Sequence, residues 1–585
     1  MKTKVIRKSV LSTVLCTSML ATLFTGCSSN SSKSSVAAST EKGDVLTVDV
    51  FDNNANYQGI QSGWYGKLIK DKFNIELNII SPNVSGGGDS LYATRSAAGN
   101  LGDLIIVPGG GNKAQDLVNA GLVMDISPYM KNEKNLDKYK DAIAAGNKNC
   151  VNKSGTFLIP SECTTQSGTT PCESGGEMNT GVYSRWDLYK QMGYPKLNTM
   201  EDMLGVLKKM QDANPTSDSG KKVYAFSFFK DWDGGVMEAA RQGCSDYGYG
   251  MENFCFFRPD GSDYQSAIAS DSTYVRTLKM FFNANQQGLV DPESTTQNYD
   301  TLYAKYQDGA VLYAPWPWLG KAAYNTTDHK NQGKAMEFIP FADEKIYSYG
   351  CYPEGNANEL CVMVGSKAKD PQRLVDYIDW MYSPEGIEAS TLGCGPEGMT
   401  WNIVDGKPAL TDFGKSAILG DPKQAKVDSK WGSGSYYDGQ NWLNFKAVAP
   451  TEVNPKTNFQ YDNSSWESVQ ALNNTEIEKD WKKTIGFNTT KDYLIANKQL
   501  LVSPGISVIS PQDSSNITAI RNQCKSAIVE KSWQMVFAKS EAEFNSLLKE
   551  MQDSVNGLGY DQVYQVDLKN AKDKQVERDK MLNKK

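Results

Sequence analysis

Apolar and polar residues alternate with a period of two in short runs near the start of the chain. Leu46-Thr47-Val48-Asp49-Val50 and Ile75-Glu76-Leu77-Asn78-Ile79 each place their apolar side chains on one face of a strand. Asp103-Leu104-Ile105-Ile106-Val107 reads as a short buried strand and runs into Pro108-Gly109-Gly110-Gly111, a tight turn at its carboxyl edge. Elsewhere the period is 3.6. Thr199, with Asp202 three residues on, caps a helix carrying Met203, Val206, Leu207 and Met210 on one face. Asp370-Pro371 opens another, with Leu374, Tyr377, Ile378 and Met381 on its stripe, and Ser383-Pro384 starts the next. Ser540 and Glu543 form a capping box ahead of Phe544, Leu547, Leu548 and Met551, and Gly557 is the expected stop. Strands interleaved with amphipathic helices predict an α/β fold, helices packed on sheets.

The first 43 residues follow neither period. Lys2, Lys4, Arg7 and Lys8 precede an apolar stretch from Val10 to Phe24, which ends in Thr25-Gly26-Cys27. This is the layout of a secretion signal, with small residues before a cysteine where a bacterial lipoprotein is cut and acylated. The apolar run is short and broken by Ser and Thr, so a membrane span is the weaker reading. Cys27 is the expected lipidation site, and the serine-rich tract up to residue 43 is a tether with too little apolar surface to fold. These features place the mature chain on the outer face of the cell membrane, held by lipid.

Loss of the signal, which carries those four cations and no acid, moves the net charge from -7 to about -11. A basic face for nucleic acid is not expected on such a chain. Nine cysteines follow Cys27; close spacings such as Cys163/Cys172, Cys244/Cys255 and Cys351/Cys361 allow short-loop disulfides, but the redox state stays open. There is no CxxC pair, and the one histidine, His329, sits in a polar stretch. Two-histidine metal sites and HExxH zinc sites are therefore excluded, and histidine-based triads would need His329 itself. No Walker loop, GxSxG elbow or dinucleotide fingerprint is present, so no cofactor is expected. A pair of carboxylates, enough for a glycoside hydrolase, stays possible in a chain with 68 acidic residues.

The positive chemical signal is aromatic. The chain holds 12 Trp, 29 Tyr and 20 Phe, many in polar, glycine-rich surroundings unlike helix core. Gly63-Trp64-Tyr65, Trp232-Asp233-Gly234, Pro315-Trp316-Pro317-Trp318, Trp401-Asn402 and the stretch from Trp431 to Trp442 with Tyr436 and Tyr437 are the examples. A sugar ring stacks its C–H face on an aromatic ring, while its hydroxyls need polar partners. Asp233, Glu397, Asn402, Asp438 and Asn441 lie beside these rings in sequence. A second, weaker pattern runs from Asp212 through Asn214 to Asp218. Oxygen side chains recur there as in a calcium loop, but Ser217 replaces the usual glycine and no closing glutamate follows.

Four stretches resemble the family 1, maltose-binding-like extracellular solute-binding lipoproteins, in particular their large Gram-positive branch. They are Gly102-Asp103-Leu104-Ile105-Ile106 with Ala120-Gly121-Leu122-Val123-Met124-Asp125-Ile126; Tyr183-Ser184-Arg185-Trp186-Asp187-Leu188 with Met192-Gly193-Tyr194-Pro195; the strand from Gly309 to Trp318; and Ala538-Lys539-Ser540-Glu541-Ala542-Glu543-Phe544 with Leu558-Gly559-Tyr560-Asp561-Gln562-Val563. The resemblance implies a periplasmic-binding-protein-like fold: two α/β lobes, a hinge, a ligand cleft between the lobes and a helical C-terminal extension. It divides the chain into a signal (1–26), a tether (27–43), a first lobe (44–180), a second lobe (181–330), a return to the first lobe (331–400) and a completion of the second with the C-terminal helices (401–585). It implies a monomer that captures a carbohydrate by stacking and polar contacts and delivers it to an ABC transporter permease, without catalysis. Trp316 matches the family's sugar-stacking tryptophan and Trp401 a second stacking position, with Trp64 and Gly109 near the cleft by analogy. Trp318, Trp232, Asp233, Glu397, Asn402 and Tyr436 complete the expected site. A surface glycan-binding or glycan-degrading lipoprotein, and the same fold holding a peptide or other polar metabolite, are the alternatives.

Overall fold

Strand Leu46–Asp52 pairs in parallel with Ile75–Ile80 on one side and with Leu104–Val107 on the other. In the computed structural model, which describes residues 44–85, 89–173, 175–472, 474–508 and 510–583, these strands form the centre of a six-stranded sheet. Cys27, the signal and the tether lie outside the described residues. Antiparallel strand Cys361–Val364 joins the sheet beside Leu104–Val107, and Ile159–Pro160 pairs with its far side. Period two explains the burial. Leu104, Ile106, Val362 and Val364 face a core with Trp64, Tyr65, Ile69 and Tyr377, while Ile105, Val107, Cys361 and Met363 face the opposite one with Leu117 and Val118. Helices Gly63–Phe73 and Pro371–Met381 cover the first face, and helix Lys113–Asn119 covers the second. With both faces covered, the strands need apolar residues at successive positions, as Leu104–Val107 has.

A second core begins at Met178 and runs to Ile346. Its sheet pairs Tyr183–Arg185 with Tyr313–Ala314 and Met336–Phe338. Residues around 224–226 extend it in parallel with Val290 and Val311. Helices Met203–Ala213 and Thr273–Gln286 pack on it. The chain then returns to the first core and stays there through Ala417, Ala425, Tyr436, Leu443, Phe445 and Tyr461 before rejoining the second at Ile477. The sequence reading assigned all of 401–585 to the second lobe; residues 417–461 pack in the first. The contacts that hold them there, such as Trp64 on Tyr436, span 372 positions and leave no local pattern.

The C-terminal extension is three helices, Ser515–Val536, Glu541–Leu558 and Tyr560–Asn583. The first two add Trp533, Val536, Phe544 and Met551 to the second core. Ser540 caps the second helix, accepting from the Glu543 N–H, as expected. The stop is Gly559, in the left-handed region at φ 98°, whereas Gly557 lies within the helix. Asp567 of the third helix accepts from the Phe254 N–H and pairs with Arg521 at 2.8 Å, tying the extension to the second lobe.

The lobes are joined by segments that cross between the two cores. One lies between Cys163 and Met178, another between Ile346 and Leu360. They run antiparallel where Pro171 bridges Gly350, and a third segment, at Gly505, lies against both. The approach is close enough to require glycine: a Cβ on Gly350 would lie 1.9 Å from the Gly168 carbonyl oxygen, and one on Gly505 2.0 Å from that of Cys351.

Candidate functional site

Parallel segments of the second lobe end at one edge, where α/β architectures place ligands. The chain leaves residues 224–226 through Phe229 to Trp232, leaves Val290 through to Tyr299, and leaves Tyr313–Ala314 through Trp316 to Trp318. The rings meet as a cluster. Trp316 stacks on Trp318 at a centroid distance of 5.3 Å, Trp232 approaches Trp318 at 5.7 Å, and Tyr299 stacks on Trp232 at 5.3 Å. Phe229 meets Trp232 edge-on at 4.8 Å. Trp232 and Trp318 keep 41% and 39% of their surface exposed, while Trp316 keeps 7%. Trp316 is thus the floor of the cluster, its indole N–H donating to Gln242 Oε1 at 3.0 Å, and the accessible ring surface belongs to its two neighbours. The Gln242 amide nitrogen is buried with no partner. Nearby Tyr349 is 56% exposed, and the surrounding protein raises the pKa of its phenol by desolvation. Arg241, which interacts with it, is held by Glu238 through two hydrogen bonds.

The matching edge of the first lobe is organised by Asp52, the last residue of its strand. Its carboxylate is fully buried and accepts backbone N–H groups of Asn54 at 3.1 Å and Asn444 at 3.0 Å. Burial pushes its pKa up to about 6 against those hydrogen bonds. Asp52 thereby ties the loop after the strand to residues 441–445. Tyr57 of the first loop stacks on Trp442 of the second, 5.4 Å apart and 10° from parallel, with Tyr437 edge-on to Trp442 at 5.3 Å. Asn53 and Asn54 are partly exposed beside them. Each lobe so presents half-exposed aromatic rings and side-chain amides or charges at the carboxyl edge of its parallel strands.

The other expected residues are elsewhere. Trp64 is 2% exposed, stacks on Tyr436 at 5.6 Å and donates to its carbonyl at 3.0 Å; both are packing groups of the first core. Trp401, also 2% exposed, packs on Trp466 and donates to the Gly395 carbonyl. Glu397 pairs with Lys456, and Asn402 is exposed on strand Trp401–Val404. Asp233 accepts from the Trp533 indole at 2.6 Å and the Glu238 N–H at 2.9 Å, anchoring the C-terminal extension rather than joining the ring cluster beside it. Gly109 is dictated by packing, since a Cβ there would lie 2.5 Å from the Ala357 carbonyl. Tyr57, Trp442, Tyr299, Gln242 and Tyr349 are site residues beyond the expected set. Only Trp442 carried a signal, as the end of an aromatic-rich stretch.

The calcium-like loop is held by other means. Asp212 pairs with Lys208, and Asp218 with His329 at 2.6 Å and Lys334 at 3.1 Å. Asn214 reaches back to the Met210 carbonyl, and Ser217 and Ser219 donate to Asp308. Among the described residues no group of three or more His, Cys, Asp or Glu side chains is arranged to hold a metal. Nor is any helix among them long and apolar enough to cross a membrane.

Residues 54–388, more than half of the chain, match the bacterial extracellular solute-binding proteins, and the chain belongs to that family. Its fold is similar to that of the S. pneumoniae ABC-transporter substrate binding protein FusA in complex with kestose, with TM-score 0.58 and 12% identity over 92% of this chain and 100% of that one. It is similar to the alginate-binding protein AlgQ2 without calcium ion, with TM-score 0.59 and 13% identity over 92% and 98%. A third likeness is to an HMO binding ABC-transporter associated solute binding protein from Bifidobacterium longum infantis, with TM-score 0.52 and 13% identity over 90% and 98%. No curated protein matches the chain in sequence. The periplasmic-binding-protein-like fold, two α/β lobes with a hinge, an interlobe cleft and a helical C-terminal region, follows from this family and these structures together.

Proposed function

We propose that the chain is a lipid-anchored solute-binding protein that captures an oligosaccharide between its lobes and delivers it to an ABC importer. The observation that carries this reading is the Trp316–Trp318–Trp232–Tyr299 cluster at the carboxyl edge of the second lobe, with two of its rings about 40% exposed. Apolar ring surface flanked by amides and charged groups suits the two-sided chemistry of a sugar. The Tyr57–Trp442 pair gives the first lobe a second platform. A ligand that touches both lobes favours the closed arrangement by its extra contacts there, and the permease would read that arrangement. Kestose, alginate and HMO in the names of three similar structures support a carbohydrate ligand. The lipid anchor at Cys27 rests on the signal-like N-terminus. We assign the protein no catalysis, cofactor or metal, and a monomeric state.

The test is a titration of the chain with plant and host oligosaccharides, followed by tryptophan fluorescence and by product analysis. Saturable change without new products supports capture. Product formation would replace it with a hydrolase, and silence across the panel would move the ligand to another chemical class.

A further inference from the structure

Nine cysteines lie among the described residues, and all but Cys172 are buried. Cys172 lies on the first crossover segment, between Cys163 of one core and Met178 of the other. Cys351 lies on the second, between Ile346 and Leu360. The segments pair antiparallel there: the Cys172 N–H donates to the Tyr349 carbonyl and the Cys351 N–H to the Thr170 carbonyl, each at 2.8 Å, around the Pro171–Gly350 bridge. In such a pair residues 170, 172, 349 and 351 share one face. The two side chains accordingly stand on the same face and interact. The Cys351 sulfur also lies 3.1 Å from Thr451 Oγ1.

We propose that Cys172 and Cys351 are a disulfide site that staples the two crossover segments of the hinge. The oxidant is a small-molecule disulfide of the glutathione type. The Cys172 thiolate, on the accessible side, attacks one sulfur of that molecule and releases its first thiolate, giving a mixed disulfide on Cys172. The Cys351 thiolate then attacks the Cys172 sulfur and expels the second. The two protein thiols are oxidised to one disulfide, the small disulfide is reduced to two thiols, and the two protons end on those leaving groups. An extracellular setting is where such a bond persists. The neighbouring pair Cys150 and Cys361 offers a contrast. Both sulfurs approach the same point beside Gly109, 3.3 Å from where its Cβ would lie, but both are buried, and burial pushes Cys150 up to about 11. Buried, protonated thiols of this kind are inert.

The full chain is treated with oxidised glutathione, alkylated without reduction, digested, and read by fragmentation of the peptides. The expected result is a cross-link joining residues 172 and 351, with Cys150 and Cys361 alkylated singly. Recovery of Cys172 and Cys351 as separate alkylated residues, or of a stable glutathione adduct on Cys172 beside a free Cys351, overturns the proposal. Because the readout is made on the natural sequence, it does not depend on a variant folding. A second measurement follows thermal unfolding. The bond encloses most of the second lobe in one loop, so oxidation raises the midpoint of the natural chain and leaves that of Cys172→Ser unchanged. An equal shift in both would assign the effect to another cysteine and sink the staple.

Discussion

Trp64, Trp401, Trp232 and Trp318 all stand near glycine or proline and polar residues, and they end in two different roles. The first two are 2% exposed and hold packing together; the second two are about 40% exposed at the cluster. The difference decides what truncation does. Trp318→Ala removes a ring whose surface is open, so it weakens ligand binding about fivefold, from about 1 kcal/mol of stacking, and leaves the unfolding midpoint unchanged. Trp64→Ala leaves a cavity and a lost hydrogen bond to Tyr436, and costs about 3–5 kcal/mol of stability with little change in the affinity of the folded fraction. Calorimetric titration beside urea unfolding separates the two outcomes. At the same scale Asp212 and Asp218 are already paired with Lys208 and Lys334, so removing calcium with a chelator leaves both stability and sugar affinity unchanged. A chelator-induced drop in melting temperature would return the loop to the list of metal sites.

Among the elements, short helix Pro384–Glu388 ends on a carboxyl group that burial pushes up to about 8. One of its oxygens accepts from Asn454 Nδ2 at 3.2 Å and the other has no partner. The folded state holds this proton more tightly than the unfolded chain, where the pKa is near 4.5. The contribution of Glu388 is therefore fully present below about pH 4.5 and is lost as the pH rises towards 8, by up to a few kcal/mol. Glu388→Gln makes stability flatter with pH across that window, measured by urea unfolding at pH 5 and pH 8. A wild-type slope retained in the variant would assign the dependence elsewhere. The crossover elements have their own sensitivity. Gly350→Ala places a Cβ 1.9 Å from the Gly168 carbonyl, so the paired crossover strands must separate, and a fall in melting temperature of several degrees follows. Helix starts were legible because a cap and its stripe are neighbours in sequence: Asp370, Ser383 and Ser540 all accept the N–H groups expected of caps. The stop at Gly559 rather than Gly557 was not, since both are glycines and the residues beside them offer no pattern that chooses between them.

For the whole molecule, a ligand bridging the two lobes draws them together about the crossover segments. Solution scattering then shows a smaller radius of gyration at saturation, and an unchanged radius with bound ligand would confine the site to one lobe. The strands, their order of apolar faces and the amphipathic helices were determined by the sequence alone, because period two and period 3.6 are written in residues a few positions apart. So was the supply of aromatic rings on polar loops. Which of those rings face water was decided only by tertiary structure. Trp64 is buried by Tyr436, 372 residues away, Trp316 is covered by its own neighbours Trp318 and Trp232, and Tyr57 meets Trp442 across the fold. Residues 417–461 join the first core for the same reason. Exposure is a property of contacts between segments distant in the chain, and neither the spacing nor the composition of either segment records its partner.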